Sequence, residues 1–168
     1  MRDGPRADFD EFVRARSTGL LRTACLLTGD RHAAEDLVQE VLEQMYVRWR
    51  RIDGHPEAYA RRALVNRSAN RWRLRGRRPE APLAHHDRTE PDHSDGVAVR
   101  DTVLAALRGL PPQQRAAVVL RYWDDLPVHE VAAALGCSDG TVKSNASRGL
   151  DRLRAVLGPI LTMERGQR

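Results

Sequence analysis

Apolar residues recur along this chain at the three- and four-residue spacing of amphipathic helices, and the strict alternation typical of strands is missing. The spacing predicts helices over residues 8–27, 57–75, 97–108 and 113–123. A further helix, which Asp30 can cap, has an apolar stripe at Leu37, Val41, Met45, Trp49 and Ile52. We therefore predict an all-α fold.

The stretch from residue 124 to residue 154 predicts a short helix, a tight turn and a longer helix. The first helix follows Pro127, Gly136 suits a left-handed exit from it, and Ser138 or Asp139 can cap the second. The second helix is apolar on one side and basic or small-polar elsewhere, with a start at Gly140 that can bind a phosphate. This is the helix-turn-helix pattern of DNA-binding proteins, and an ordinary helical hairpin with a solvated face is the alternative.

Charge divides the chain into three parts. Residues 1–78 contain 17 Lys and Arg against 11 Asp and Glu, and residues 97–168 contain 10 against 7. Residues 79–96 contain one Lys or Arg against five Asp and Glu, with three prolines and little apolar content. We predict two small helical domains, 1–78 and 97–168, joined by a flexible acidic linker over 79–96. Two basic blocks indicate a polyanionic partner that is contacted twice.

The most basic helix lies at the end of the first domain. Residues 56–78 contain eight arginines and a single acid, Glu57. Asn66, Ser68, Asn70 and Trp72 lie among the arginines, and such a mixture suits unpaired or partly melted DNA, whose bases can stack and hydrogen-bond. A merely solvated helix, with Trp72 in the core, is the alternative.

No pattern of an enzyme is present. The chain lacks a Gly-rich phosphate loop, a metalloprotease motif, a nucleophile elbow and a zinc-ligand spacing, so we predict no catalytic activity and no cofactor. His85, His86 and His93 lie together in the predicted linker without cysteines, and we predict no metal site there. Arg14, Arg16 and Ser17 could imitate the nucleophile of a serine recombinase, but the strand-rich core of that enzyme is missing.

The same composition predicts a cytoplasmic protein. No apolar run is long enough to span a bilayer, and the charged start is unlike a signal peptide. Cys25 and Cys137 are far apart in sequence, and we interpret both as small reduced residues rather than a disulfide.

Four ordered runs resemble RNA polymerase sigma factors of the sigma-70 family. They are Asp36-Leu37-Val38-Gln39-Glu40-Val41, residues 59–67, Leu110-Pro111-Pro112-Gln113-Gln114-Arg115, and residues 130–138 followed by Gly140-Thr141-Val142-Lys143-Ser144. Their order and spacing are similar to those of the small extracytoplasmic-function (ECF) group, and especially its actinobacterial SigE branch. The group has only sigma domains 2 and 4, which would correspond to the two predicted domains.

The resemblance implies roles for particular residues. Asp36, Gln39 and Glu40 would dock on the clamp of the largest polymerase subunit, and domain 4 on the flap of the second-largest subunit. The residues that would capture the melted −10 element are Asn66, Arg67, Ser68, Arg71 and Arg75. Those that would contact the −35 duplex are Thr141, Lys143, Ser144, Ser147 and Arg148.

The resemblance thus implies that core RNA polymerase and promoter DNA are the partners, and an anti-sigma factor is a further candidate. Ser147 stands where relatives often have an aromatic residue, which could change the −35 contacts. The alternatives are a free-standing helix-turn-helix regulator and, more remotely, a DNA recombinase.

Overall fold

The computed structural model of the protein describes residues 5–76 and 95–165, and every regular element in these ranges is helical. The all-α prediction is therefore confirmed for the described residues. The predicted linker lies almost wholly outside them, as do its three histidines.

Three helices form the N-terminal group. They are α1 (Pro5–Thr28), α2 (Arg31–Arg48) and α3 (Pro56–Gly76), with a 3-10 turn at Trp49–Arg51 after α2. Asp30 caps α2 as predicted, because its carboxylate accepts the N–H of Ala33 at 2.8 Å. Leu37, Val41 and Met45 are completely buried, while Trp49 and Ile52 pack at the edge of the core. The predicted apolar stripe is thus the face that packs.

The C-terminal group contains α4 (Asp95–Arg108), α5 (Pro112–Val118), α6 (Val128–Leu135) and α7 (Asp139–Arg165). The prediction of one helix over residues 113–123 is wrong in part, because α5 ends at Val118 and a π-helical turn follows over Val119–Trp123. The N–H of Asp124 bonds to the carbonyl of Val119 and that of Leu126 to Leu120, which widens the last turn. Helix α7 continues through Arg165.

The two groups pack against each other. Their buried apolar residues belong to one continuous core, in which Leu20, Ala24 and Leu27 of α1 join Leu107 and Leu110. Helix α1 contacts α4, α5 and the π-helical turn, and α3 contacts α5 and α6. At the end of α1, Gly29 has a φ of +71°, and a Cβ there would lie 2.0 Å from Cγ of Arg108. A side chain at residue 29 would therefore require the Arg108 side chain to move, and the left-handed φ favours glycine there.

Candidate nucleic-acid interface

The turn between α6 and α7 has the geometry that the sequence predicts. Gly136 ends α6 with a φ of 65°, the left-handed conformation that glycine adopts without a steric penalty. The N–H of Cys137 then bonds to the carbonyl of Ala132 at 3.1 Å. Ser138 caps α7, because its hydroxyl oxygen accepts the N–H of Thr141 at 3.2 Å. These local contacts fix the direction in which α7 leaves the turn.

One face of α7 is held tightly against α5. Val142 is completely buried and Ala146 is 4% exposed. At Gly149 a Cβ would lie 2.6 Å from Cγ2 of Val118 and 3.2 Å from the carbonyl oxygen of Gln114. The two helices therefore cross at a point where only glycine fits, and this crossing fixes which face of α7 remains outside.

The residues predicted to contact −35 DNA all lie on the exposed part of α7. They are Thr141, Lys143, Ser144, Ser147 and Arg148. The structure thus brings the five together at the start of one helix, opposite the buried Val142 and Ala146. A helix with an anchored apolar face and an exposed basic and polar face can enter a major groove.

The residues predicted to contact the −10 element differ in exposure. Asn66 is exposed on α3, whereas Arg67 and Arg71 are half-buried. Ser68 is 9% exposed and donates its hydroxyl hydrogen to the carbonyl of Val65 at 2.9 Å. Arg75 lies at the end of α3, outside the residues whose side chains are described. Among the four residues of the set whose side chains are described, Asn66 is the exposed one.

Arg67 and Arg71 are held by α2. The Glu40 carboxylate accepts a hydrogen bond from Nη1 of Arg67 at 2.9 Å and a second one from Arg71. Gln44 accepts two more hydrogen bonds from Arg67, and the carbonyl of Ala33 accepts one from Arg71 at 3.1 Å. The two arginines that the resemblance assigns to the −10 element are therefore also structural links between two helices.

The residues predicted to bind polymerase all lie on α2, but they differ in exposure and in the residues they contact. Asp36 and Gln39 are exposed, and Gln39 donates to the exposed Glu43 at 3.4 Å. Glu40 is half-buried and is engaged by the two arginines of α3. Asp36 and Gln39 are thus available at the surface, and Glu40 connects this surface to the basic helix.

Arg115 belongs to one of the four runs that resemble sigma factors, but the sequence indicated no role for its side chain. Its side chain is 1% exposed and donates hydrogen bonds to the carbonyls of Leu107 and Arg108 at the end of α4 and of Leu110 just after that helix. A fourth bond, of 2.7 Å, goes to the carbonyl of Leu27 at the end of α1. Burial lowers the pKa of Arg115 to about 10, which leaves the guanidinium charged at neutral pH.

Arg115 also reaches the basic helix. Its guanidinium carbon lies 5.0 Å from the ring centroid of Trp72, within the range of a cation–π contact. Trp72 is 40% exposed, so it belongs neither to the buried core nor to a fully open stacking surface. One arginine of the C-terminal group therefore contacts two helices of the N-terminal group.

Asp124 forms a second link between the groups. Its Oδ1 accepts the hydroxyl of Thr23, which is 3% exposed, at 2.8 Å. Its Oδ2 lies 3.7 Å from Nε of Arg61 and has no hydrogen-bond partner among the described residues. Burial raises the pKa of Asp124, although the Thr23 hydroxyl and Arg61 act in the opposite direction. The contact between Thr23 and Asp124 joins residues 101 positions apart, which local sequence patterns do not indicate.

The described residues contain neither a metal-binding cluster nor a membrane-spanning helix. No group of three or more His, Cys, Asp or Glu residues there could hold a metal ion. Cys25 and Cys137 are free thiols, as the sequence suggests. No described helix combines the length and the apolar character that crossing a membrane requires.

Comparison with known families now gives a consistent result. Residues 12–78 match the family described as Sigma-70 region 2, and residues 100–153 match Sigma-70, region 4. The chain is 40% identical over 163 residues to the RNA polymerase sigma-E factor of Streptomyces coelicolor. The aligned region covers 92% of this chain and 88% of the relative. It belongs to the ECF group of RNA polymerase sigma factors.

A second relative supports the assignment to the SigE branch. The ECF RNA polymerase sigma factor SigE of Mycolicibacterium smegmatis is 36% identical over 157 residues, which cover 89% of this chain and 61% of that protein. Members of this family are transcription initiation factors rather than enzymes. The resemblance to ECF sigma factors that the four sequence runs indicate is therefore confirmed.

Solved structures agree with the arrangement of the helices. The sigma factor RpoE of Bartonella quintana, solved in complex with the anti-sigma factor NepR, has a TM-score of 0.75 and 26% identity, and the match covers 90% of this chain and 97% of that one. CnrH, solved with the cytosolic domain of CnrY, has a TM-score of 0.68 at 19% identity and shows the same fold. Both matches extend over the N-terminal and C-terminal groups together.

Proposed function

We propose that this sigma factor directs core RNA polymerase to promoters by reading two elements with two helices. The exposed face of α7 reads the −35 element as duplex DNA, and α3 holds the melted −10 element. The observation that carries the proposal is the exposed face of α7. Thr141, Lys143 and Arg148 lie on this face, while Val142 and Gly149 pack the opposite face of the same helix against the core.

The two contacts work together only on polymerase. Each DNA contact alone is weak and depends strongly on salt, because it rests mainly on phosphate charges. When core polymerase holds both domains, binding of the second element becomes intramolecular and its effective concentration rises. In this proposal Asp36, Gln39 and Glu40 bind the clamp of the largest subunit, and domain 4 binds the flap of the second-largest subunit.

At −10, Asn66 is the exposed polar side chain that can hydrogen-bond an extruded base. Unstacking that base costs a few kcal/mol, which contacts to the base and its phosphates offset. Arg67 and Arg71 supply charge beside it, after release from Glu40 or while still bound to it. The protein needs no catalytic group of its own for this role. An anti-sigma factor is a further proposed partner, in keeping with the complex of the sigma factor RpoE with the anti-sigma factor NepR.

The proposal is tested by run-off transcription. Purified protein is added to core polymerase with a library of genomic promoters, and we expect transcripts from a subset with common −35 and −10 sequences. Tight duplex binding without core polymerase, and no transcripts with it, would instead identify a free-standing helix-turn-helix regulator. Strand cleavage would identify a recombinase.

A further inference from the structure

A chain of hydrogen bonds joins α2 to α3 through Gln44, a residue outside the four runs that resemble sigma factors. Its Oε1 accepts hydrogen bonds from Nη2 of Arg67 at 2.8 Å and from Nε of the same side chain at 3.3 Å. Its Nε2 donates to the hydroxyl of Tyr59 at 3.1 Å. Arg67 belongs to the set proposed to hold the −10 element, so Gln44 contacts one member of that set without being a member itself.

The chemistry of its two neighbours fixes the orientation of the Gln44 amide. An arginine side chain has only donors, so the amide oxygen must face Arg67 and the amide nitrogen must face Tyr59. The Tyr59 hydroxyl can accept a hydrogen bond as well as donate one, and here it accepts. Gln44 is thus held from both ends, and it holds two N–H groups of the Arg67 guanidinium.

Arg67 remains able to bind a further acceptor. Of the five N–H groups of an arginine side chain, two bond to Gln44 and one bonds to Glu40. The other two have no partner among the described residues, and the side chain of Arg67 is 38% exposed. Asn66, the preceding residue of α3, is exposed. An acceptor bound beside Asn66 would therefore meet an arginine whose position is already fixed.

The charges around Arg67 do not cancel. The Glu40 carboxylate pairs with both Arg67 and Arg71, and no other acid of the described residues forms an ion pair with either arginine. Two positive charges and one negative charge leave a net charge of +1. Gln44 is neutral, so it orients Arg67 without cancelling this charge. A carboxylate at residue 44 could accept the same hydrogen bonds from Arg67, but it would neutralise the site.

We propose that Gln44 is a positioning residue for the −10 element, which holds Arg67 in place for a backbone phosphate of the melted strand and leaves the positive charge available. This inference rests on the proposed function, because it concerns how α3 binds the −10 strand. Tyr59 supports Gln44 from the other side. An arginine held in advance loses less rotamer freedom when it binds a phosphate than a freely moving one does, so the same contact gives a higher affinity.

Two substitutions at residue 44 separate geometry from charge. Gln44→Glu keeps acceptors for Arg67 and adds a negative charge, whereas Gln44→Met keeps the charge of the site and removes the hydrogen bonds. Both variants are assembled into holoenzyme, and binding to a single-stranded oligonucleotide with the preferred −10 sequence is measured across a range of salt concentrations. Gln113→Glu, the same substitution at an exposed position of α5, is the matched control for net charge.

The two variants should lose affinity in different ways. We expect Gln44→Glu to bind on the order of tenfold more weakly, with a slope of log Kd against log salt that is smaller by about 0.7, because one phosphate contact is lost. We expect Gln44→Met to bind roughly two- to tenfold more weakly with the wild-type slope, because the contact remains but Arg67 must be ordered on binding. In thermal unfolding Gln44→Glu should be the more stable of the two, since its carboxylate still accepts from Arg67.

A merely structural role predicts that DNA binding follows stability, so an affinity and a salt slope of Gln44→Glu equal to those of the Gln113→Glu control would overturn the proposal. A double-mutant cycle tests whether Gln44 acts through Arg67, because in an Arg67→Met background Gln44→Met should have no further effect. Additive losses in that cycle would contradict the positioning role. A wild-type holoenzyme that binds no single-stranded −10 sequence would instead overturn the proposed function, and this inference with it.

Discussion

Arg71 of α3 forms an ion pair with Glu40 of α2, and the second oxygen of the same carboxylate accepts a hydrogen bond from Arg67 at 2.9 Å. Glu40 lies in the run that resembles a polymerase-docking segment, whereas the arginines lie in the helix proposed to hold the −10 element. One carboxylate therefore connects the two proposed surfaces. Its loss should alter both the packing of α3 on α2 and the charge that α3 presents to DNA.

Glu40→Gln tests this connection. We expect a loss of about 1 kcal/mol in the free energy of unfolding, since the pair is partly exposed and solvent screens it. Affinity for single-stranded DNA should rise with a steeper salt dependence, because two guanidinium groups become available to phosphates. Denaturation and salt-dependent binding measure the two effects. Glu43→Gln, exposed on the same helix, is the control, and equal effects at both positions would contradict the assigned role of Glu40.

Asp36→Ala and Gln39→Ala address polymerase docking without touching that ion pair. Both side chains are exposed, so the unfolding midpoint should stay unchanged while affinity for core polymerase falls about tenfold, or ~1.4 kcal/mol. Glu35→Ala, which removes an exposed partner of Arg31 on the same helix, is the matched control. Binding equal to that of the control would mean that the two residues are only a solvated surface.

In the recognition helix, Lys143→Ala and Arg148→Ala should each weaken −35 binding by ~1–3 kcal/mol if the side chain contacts a base. The measurement is holoenzyme affinity for the preferred −35 sequence and for single-base variants of it. A base contact loses discrimination at one position, whereas a phosphate contact loses affinity equally on every sequence. Arg154→Ala, farther along α7 and paired with Asp151, serves as the control.

The sequence predicts the helices well because the contacts that begin, end and orient them involve residues close together in the chain. Asp30 caps α2 and Gly136 ends α6, each through contacts within a few residues. The stripe from Leu37 to Met45 is buried because helical periodicity alone defines an apolar face. The family motifs are local as well, and they were sufficient to identify the ECF group.

The parts that could not be predicted depend on distant residues. The burial of Arg115 requires the carbonyl of Leu27, 88 positions earlier, and Asp124 requires Thr23, 101 positions earlier. The engagement of Arg67 by Glu40 depends on how α3 packs on α2. The periodicity within one helix does not show which distant helix packs against it. In the sequence, polar residues at a contact between helices therefore look the same as polar residues exposed to solvent.

Gly149→Ala tests the crossing of α5 and α7. Because the new Cβ would lie 2.6 Å from Val118 and 3.2 Å from the Gln114 carbonyl, the helices must separate, and we expect a loss of ~1–3 kcal/mol in stability. Gly19→Ala, in α1 with nothing within 4 Å of its Cβ, should instead stabilise the protein by roughly 0.5–1 kcal/mol. Denaturant unfolding of both variants measures the difference, and equal stabilisation would contradict the close crossing.

The pH dependence of stability should reveal the buried carboxyl of Asp124. Burial raises its pKa above the ordinary value of 3.8, with a smaller effect of Glu57 in the same direction and opposing effects of Thr23 and Arg61. The folded protein therefore binds this proton more tightly than the unfolded chain, and the contribution of Asp124 to stability falls as pH rises from 3.8 through the raised pKa. Asp124→Asn removes the charge and leaves an amide oxygen to accept the Thr23 hydroxyl.

We therefore expect Asp124→Asn to gain stability relative to the wild type at neutral pH and to lose that advantage as pH falls toward 4. Denaturant unfolding of both proteins across this range gives the difference, in which most other titrating groups cancel. Asp151→Asn, at an exposed position of α7, is the control and should show no comparable trend. If the advantage of Asp124→Asn instead grew toward pH 4, the charged form would be the one that the fold stabilises. In that case Arg61 and Thr23, rather than burial, would dominate the surroundings of Asp124.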